Sequence, residues 1–167
     1  EACENPGRKR RGPPLPSCLA LVTAPHEVEG PPSLIVIVTR AGIGFPHGMA
    51  ATARVHSYAR GLKAAGKDVL VLCLSTSEPS PPQPAVNSAV RGTASGGIPF
   101  EYTCGSTIRS TSFWRRRWTR VRGLLGATRR ILQQRVAAPV EAILLYSDSF
   151  LEAAIMHFVS RRVGAVC

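Results

Sequence analysis

The chain has 167 residues, 44% of them hydrophobic and 19% charged, with 21 Lys and Arg against 10 Asp and Glu for a net charge of +11. That is one domain's worth of chain with enough apolar residues to bury a core, which excludes a wholly disordered protein. The longest aliphatic run, Leu34–Val38, has five residues, whereas a membrane-spanning helix needs about 20.

Residues 1–33 hold seven of the 14 prolines. Proline fixes φ and removes a backbone donor, so no regular element runs through this stretch, and it reads as a flexible leader. Its Arg8-Lys9-Arg10-Arg11 run reads first as a solvated tail, and second as a nucleic-acid or nuclear-import patch. The apolar stretch Leu19–Val22 is too short for a signal-peptide core. The five cysteines are widely spaced with no Cys-x-x-Cys pair, so neither a zinc knuckle nor a redox dithiol is encoded. Cys73 falls in a strand pattern and reads as a reduced core residue, which fits a cytosolic compartment.

The character of the chain changes at Ser33. Leu34–Val38 is a continuous aliphatic run, mostly β-branched, as in a strand buried on both faces of a parallel sheet. A glycine-rich loop, residues 40–48, leads into a helix expected over 50–65, with Val55, Tyr58, Ala59 and Leu62 on one stripe and Gly66 as its stop. Val69–Leu74 is a second buried strand, completing a βαβ unit. Residues 75–97 read as a Ser/Pro/Gly-rich loop, and a connection this long is usually functional or mobile. Ile98–Thr103 is a candidate third strand, 114–135 a long helix and Ala142–Tyr146 a further strand. Ser149 and Glu152 have the spacing of a capping box opening a last helix, which Gly164 stops. Ala165-Val166-Cys167 then reads as the opening of another strand, so the domain, residues 34–167, is expected to be truncated at its C-terminus.

Two segments are candidates for function. In the first, Gly42-x-Gly44-x-x-x-Gly48 lies between a strand and a helix start, where backbone N–H groups and the helix dipole can hold a phosphate or another polar group. The dinucleotide fingerprint is not matched. The third glycine falls one place late, Pro46 interrupts the turn, and the end of the second strand, Leu74-Ser75-Thr76, offers no acid for a ribose. The competing reading is that these glycines only make a tight turn. His47 reads equally as a cleft residue or an exposed loop histidine, and Arg54 as a phosphate contact or a structural ion pair. His26, His56 and His157 lack metal-ligand spacing, so no metal site is expected.

The second segment is the basic helix. Nine arginines and no acid fall between Arg109 and Arg135. Trp114, Trp118, Val121, Leu125 and Leu132 share one face. Either this face packs on the sheet with solvated arginines around it, or the helix lies on an anionic membrane through Trp114, Arg115, Arg116, Arg117, Trp118 and Arg120. Nucleic-acid binding is the weakest of the three readings, because no recognised motif accompanies the charge.

Taken together, Gly44-Phe45-Pro46-His47-Gly48, Arg54-Val55, Tyr58-Ala59, Leu62 and the glycine turn into Val69–Leu72 resemble the opening of the N-terminal domain of family 4 glycosyltransferases, which have the GT-B fold. The resemblance covers about residues 33–167. It implies an α/β, Rossmann-like three-layer domain with a mostly parallel sheet, the acceptor-side half of a retaining glycosyltransferase. It also implies a nucleotide-sugar donor held mainly by a second domain, a glycan or lipid-linked acceptor, no required metal or other cofactor, and a cytoplasmic, peripheral-membrane location. Gly42, Gly44, Phe45, His47, Gly48 and Arg54 would line the substrate cleft. Many relatives place a histidine in the cleft where this chain reads Tyr146-Ser147-Asp148-Ser149. Catalytic residues are not assigned, and this segment alone is expected to be inactive. The alternatives are a stand-alone nucleotide-binding Rossmann module and a basic nucleic-acid-binding protein.

Overall fold

A computed structural model describes residues 33–40 and 43–167. The leader, apart from Ser33, and Gly42 lie outside the described residues. In chain order the elements are β1 (Leu34–Thr39), α1 (Ala50–Ala64), β2 (Asp68–Cys73), β3 (Arg91–Ala94), β4 (Ile98–Tyr102), α2 (Phe113–Ala137), β5 (Val140–Tyr146) and α3 (Phe150–Val163). The sheet order is β3-β4-β2-β1-β5. β1 pairs in parallel with β2 and β5, β2 pairs in parallel with β4, and β3 runs antiparallel to β4.

The two innermost strands are the two continuous apolar runs. Every residue of β1 is buried, as is every residue of β2 after Asp68. A strand covered on both faces cannot alternate polar with apolar, which is why these two were legible as runs. One face carries Val36, Val38, Leu70 and Leu72 and packs against Ala127 and Ile131 of α2 and Met156, Val159 and Val163 of α3. The other carries Ile37, Val69, Val71 and Cys73, and packs against Val55 and Ala59 of α1 with Phe45 and Phe100. The result is the expected α/β arrangement of three layers.

The ends of the helices follow the expected chemistry in two places. Gly66 follows α1 with φ +77°, and Gly164 ends α3 with φ +75°. Both are left-handed positions that favour glycine. The capping box does not form: Ser149 makes no side-chain cap. The Ser147 hydroxyl donates to Glu152 instead, and accepts from the Ser149 backbone N–H at 3.1 Å.

Two further differences matter. The segment expected to be a loop over 75–97 contains β3, an edge strand reading Arg-Gly-Thr-Ala, with only Ala94 buried. At the other edge, Val166 bridges β5 in parallel, its N–H donating to Glu141 O at 3.0 Å and its carbonyl accepting from Ile143 N–H at 2.8 Å. The expected strand opening at residues 165–167 is thus engaged with the sheet.

In α2 the structure decides between the two expected orientations. The stripe Trp114, Trp118, Val121, Leu125 and Leu132 does not pack on the sheet: Trp114 is 79% exposed, Trp118 69% and Leu125 64%. Gly123, Ala127 and Ile131 make the buried side instead. The reason is steric. A Cβ on Gly123 would lie 1.8 Å from Leu74 O, and one on Gly126 would lie 2.5 Å from Thr103 O. The helix backbone approaches the sheet more closely than any larger side chain allows.

Candidate functional site at the carboxyl edge of the sheet

Parallel α/β sheets bind ligands beyond the carboxyl ends of their strands, where the order of connection reverses. Here the chain leaves β1 toward β2 on one side and returns through α2 to β5 on the other. The crevice therefore lies between the ends of β1 and β5, beside the end of β2. Arg40 follows β1, pairs with Asp148, and has its Nε 4.0 Å from Glu152 Oε1. These two acids follow β5, so the ion pairs tie the two sides of the switch point together.

Next to this tie, Ser75, Thr76, Ser77, Arg109, Ser110, Arg116, Thr119 and Arg120 line a cavity of about 300 Å³. A smaller recess lined by Arg40, Leu74, Ser75, Arg120 and Glu152 adjoins it through the shared Ser75 and Arg120. Three chain segments meet here: the exit of β2, the turn after β4, and the first two turns of α2. At about 3.6 residues per turn, Arg116 and Arg120 fall on the same side of the helix as Gly123 and Ala127. The close contact of Gly123 with Leu74 thus brings both arginines to the serine-rich exit of β2. Among the described residues, Arg109, Arg116 and Arg120 have no ion-pair partner. Ser75 is 8% exposed, and its buried hydroxyl has no hydrogen-bond partner.

Side chains from elsewhere in the fold hold the glycine loop at three points. Asn87 holds it from outside, its Oδ1 accepting from His47 N–H at 2.9 Å and its Nδ2 donating to His47 O at 2.8 Å. Tyr102 does the same one turn earlier: its hydroxyl accepts from Phe45 N–H at 3.0 Å and donates to Phe45 O at 2.9 Å. Thr52 of α1 donates to Gly44 O at 2.7 Å. The backbone N–H groups of Phe45 and His47 are therefore occupied within the protein.

Gly44 and Gly48 have steric reasons of their own. A Cβ on Gly44 would lie 2.7 Å from His47 O, and one on Gly48 would lie 2.2 Å from Thr52 Oγ1. Phe45 has no exposed surface and stacks on His56 at 4.5 Å between ring centroids. It anchors the loop in the core. His47, Gly48 and Arg54 are exposed on the surface.

The same clasp satisfies a buried acid. Glu78 is 5% exposed; its Oε1 accepts from Asn87 Nδ2 at 2.6 Å and Ser77 Oγ at 3.1 Å, and its Oε2 from Val86 N–H at 2.6 Å. Burial opposes ionisation, but the hydrogen bonds led by Asn87 outweigh it and hold the carboxyl below its ordinary value. Burial pushes the Tyr102 hydroxyl up to about 12 and the Cys73 thiol up to about 12.

The six residues expected at a membrane divide in two. Trp114, Arg115, Arg117 and Trp118 are on the exposed side of α2, while Arg116 and Arg120 line the cavity. Ser75, Thr76, Ser77 and Arg109 were not among the expected site residues. The signal that pointed to them was the pair of glycines inside α2. Glycine costs about 1 kcal/mol in a helix interior relative to alanine, so Gly123 and Gly126 mark the side of closest approach, and Arg116 and Arg120 share it.

Among the described residues, no group of three or more His, Cys, Asp or Glu is placed to hold a metal ion, and no helix is long and apolar enough to cross a membrane. No protein-family model, curated protein or solved structure matches the chain.

Proposed function

We propose that this chain is the acceptor-side domain of a GT-B glycosyltransferase, which moves a sugar from a nucleotide donor to a glycan or lipid-linked acceptor. The observation that carries this reading is the cationic, hydroxyl-lined cavity at the carboxyl edge of a mostly parallel sheet. It lies beside a glycine loop that links β1 to α1 in the pattern the family uses.

Acceptor binding is favoured over a self-sufficient dinucleotide module by the exit of β2. A ribose-binding carboxylate belongs there, and the nearest acid, Glu78, has both oxygens committed to Ser77, Val86 and Asn87. The cavity offers cations and hydroxyls to a polar acceptor but no free carboxylate to act as a base.

The outward side of α2 supports a membrane-facing acceptor. Trp114 and Trp118 are exposed between Arg115 and Arg117. Aromatic rings settle at the headgroup level and arginines pair with anionic lipids. The helix would lie on the surface of the bilayer.

The test is transfer of a radiolabelled sugar. The full-length protein that carries this chain is incubated with a panel of nucleotide sugars and with membrane lipid extract or oligosaccharides. Label in a lipid or glycan product supports the reading, and the absence of transfer from every donor opposes it.

A further inference from the structure

We propose that the cavity between Ser75–Ser77 and the start of α2 is a phosphate-binding site, with Arg109, Arg116 and Arg120 as its cations and Ser75 as a buried hydrogen-bond donor. That the phosphate belongs to the sugar acceptor, as a phosphomonoester or diphosphate, rests on the glycosyltransferase reading. The anion site itself does not.

Three independent observations converge. First, the charge is placed and uncompensated. Three guanidinium groups line one cavity, and among the described residues none of them is paired with a carboxylate. Like charges brought together repel, and a bound anion relieves that repulsion. Arginine also offers a planar fork of donors that matches phosphate oxygens two at a time.

Second, Ser75 is a buried donor without a partner, and it lines both the cavity and the adjoining recess. Buried hydroxyls are almost always hydrogen-bonded, so an orphan beside an arginine cluster points to a missing acceptor. Two of the neighbouring hydroxyls are engaged within the protein: Thr119 donates to Arg115 O at 2.8 Å, and Ser77 bonds Glu78 and Tyr102.

Third, Arg116, Thr119 and Arg120 line the cavity from the first two turns of α2, whose first turn carries no acid and whose Ser112 makes no side-chain cap. The positive end of a 25-residue helix is therefore uncompensated from within the helix. Two carboxylates lie nearby: Glu78 has both oxygens committed to Ser77, Val86 and Asn87, and Glu152 in the adjoining recess is engaged by Ser147 and near Arg40, which leaves Arg120 available.

The volume of about 300 Å³ suits a phosphate or diphosphate with part of the attached group and is small for a whole nucleotide sugar. The cavity is polar, so it would hold the charged head of an acceptor while any lipid or glycan tail lies outside.

The experiment is titration calorimetry of this chain at low salt with inorganic phosphate and inorganic pyrophosphate. Saturable binding of pyrophosphate is expected, weakened at least tenfold in Arg116→Gln/Arg120→Gln and about threefold to tenfold in Ser75→Ala. Arg129→Gln, on the same helix but outside the cavity, should bind like the parent. Circular dichroism confirms that each variant is folded. A second arm uses vesicles of phosphatidylcholine with and without phosphatidic acid. Binding to phosphatidic acid that requires Arg116 and Arg120 places the phosphate on a lipid, whereas pyrophosphate binding without it places the phosphate on a water-soluble molecule. The proposal is overturned if neither probe binds, or if Arg116→Gln/Arg120→Gln and Arg129→Gln weaken binding equally. Sugar transfer by the full-length protein is measured separately, so loss of the anion site and loss of the glycosyltransferase reading are distinguishable.

Discussion

Gly123 of α2 lies directly against the carbonyl of Leu74: a Cβ at that glycine would be 1.8 Å from the oxygen. This contact fixes the depth and rotation of α2. One residue beyond Leu74 is Ser75, and one turn before Gly123 is Arg120. The contact that seats the helix therefore assembles the cavity.

Replacing Gly123 with alanine should reverse the usual effect of that substitution. In an open helix Gly→Ala stabilises by about 0.5–1 kcal/mol. At Gly123 it should destabilise by about 1–3 kcal/mol, because the helix must lift off the sheet. Gly61 is the control, since it lies in α1 with nothing within 4 Å of its Cβ position. Urea titration of Gly61→Ala and Gly123→Ala should move the midpoint in opposite directions.

Glu78 makes the stability of the 75–90 segment sensitive to acid. Its carboxyl is held below the ordinary range in the folded chain. The ionised form therefore contributes stability above the unfolded value of about 4.3, and that contribution is lost as pH falls through the folded value. Glu78→Gln turns an amide N–H₂ toward other donors and should cost about 1–3 kcal/mol near neutrality. Thermal melts of both proteins from pH 7 to pH 3 should show the gap narrowing at the acid end.

The thiols should separate by accessibility. Cys73 is buried with its thiol pushed up to about 12, and Cys104 is buried and shifted upward by the same desolvation. Cys167 is exposed. Iodoacetamide at pH 8 followed by peptide mapping should label Cys167 and leave Cys73 and Cys104 unmodified until the chain is unfolded.

The outward face of α2 should bind anionic lipid. Arg115→Glu/Arg117→Glu leaves the cavity arginines in place and reverses two charges beside the exposed tryptophans. The affinity for phosphatidylserine vesicles in flotation should fall at least tenfold for this variant, and fall at 0.5 M salt, since each surface charge contributes about 1 kcal/mol. Unchanged flotation would remove membrane docking from the account.

How much of this was legible from residues alone depended on the kind of signal. β1 and β2 were evident because strands covered on both faces are continuous apolar runs. Gly66 and Gly164 were evident as stops because the left-handed turn needs them. β3 was hidden, since an edge strand reading Arg-Gly-Thr-Ala buries only Ala94 and carries no alternation. α2 was legible as a helix, but its large residues left two rotations open, and only the two glycines mark which side meets the sheet. The clasp on the glycine loop was hidden, because Asn87 and Tyr102, which occupy backbone groups of His47 and Phe45, lie 40 and 57 residues away in sequence. The cavity was the least legible feature, because Ser75, Arg109 and Arg116 belong to segments that only the crossovers bring together.

The most direct measurement of the central claim is the steady-state kinetics of sugar transfer by the full-length protein, with Arg116→Gln/Arg120→Gln compared with the parent. An acceptor-side cavity predicts that KM for the acceptor rises at least tenfold while KM for the nucleotide sugar is unchanged. No transfer from any nucleotide sugar, or a rise confined to the donor KM, would contradict it.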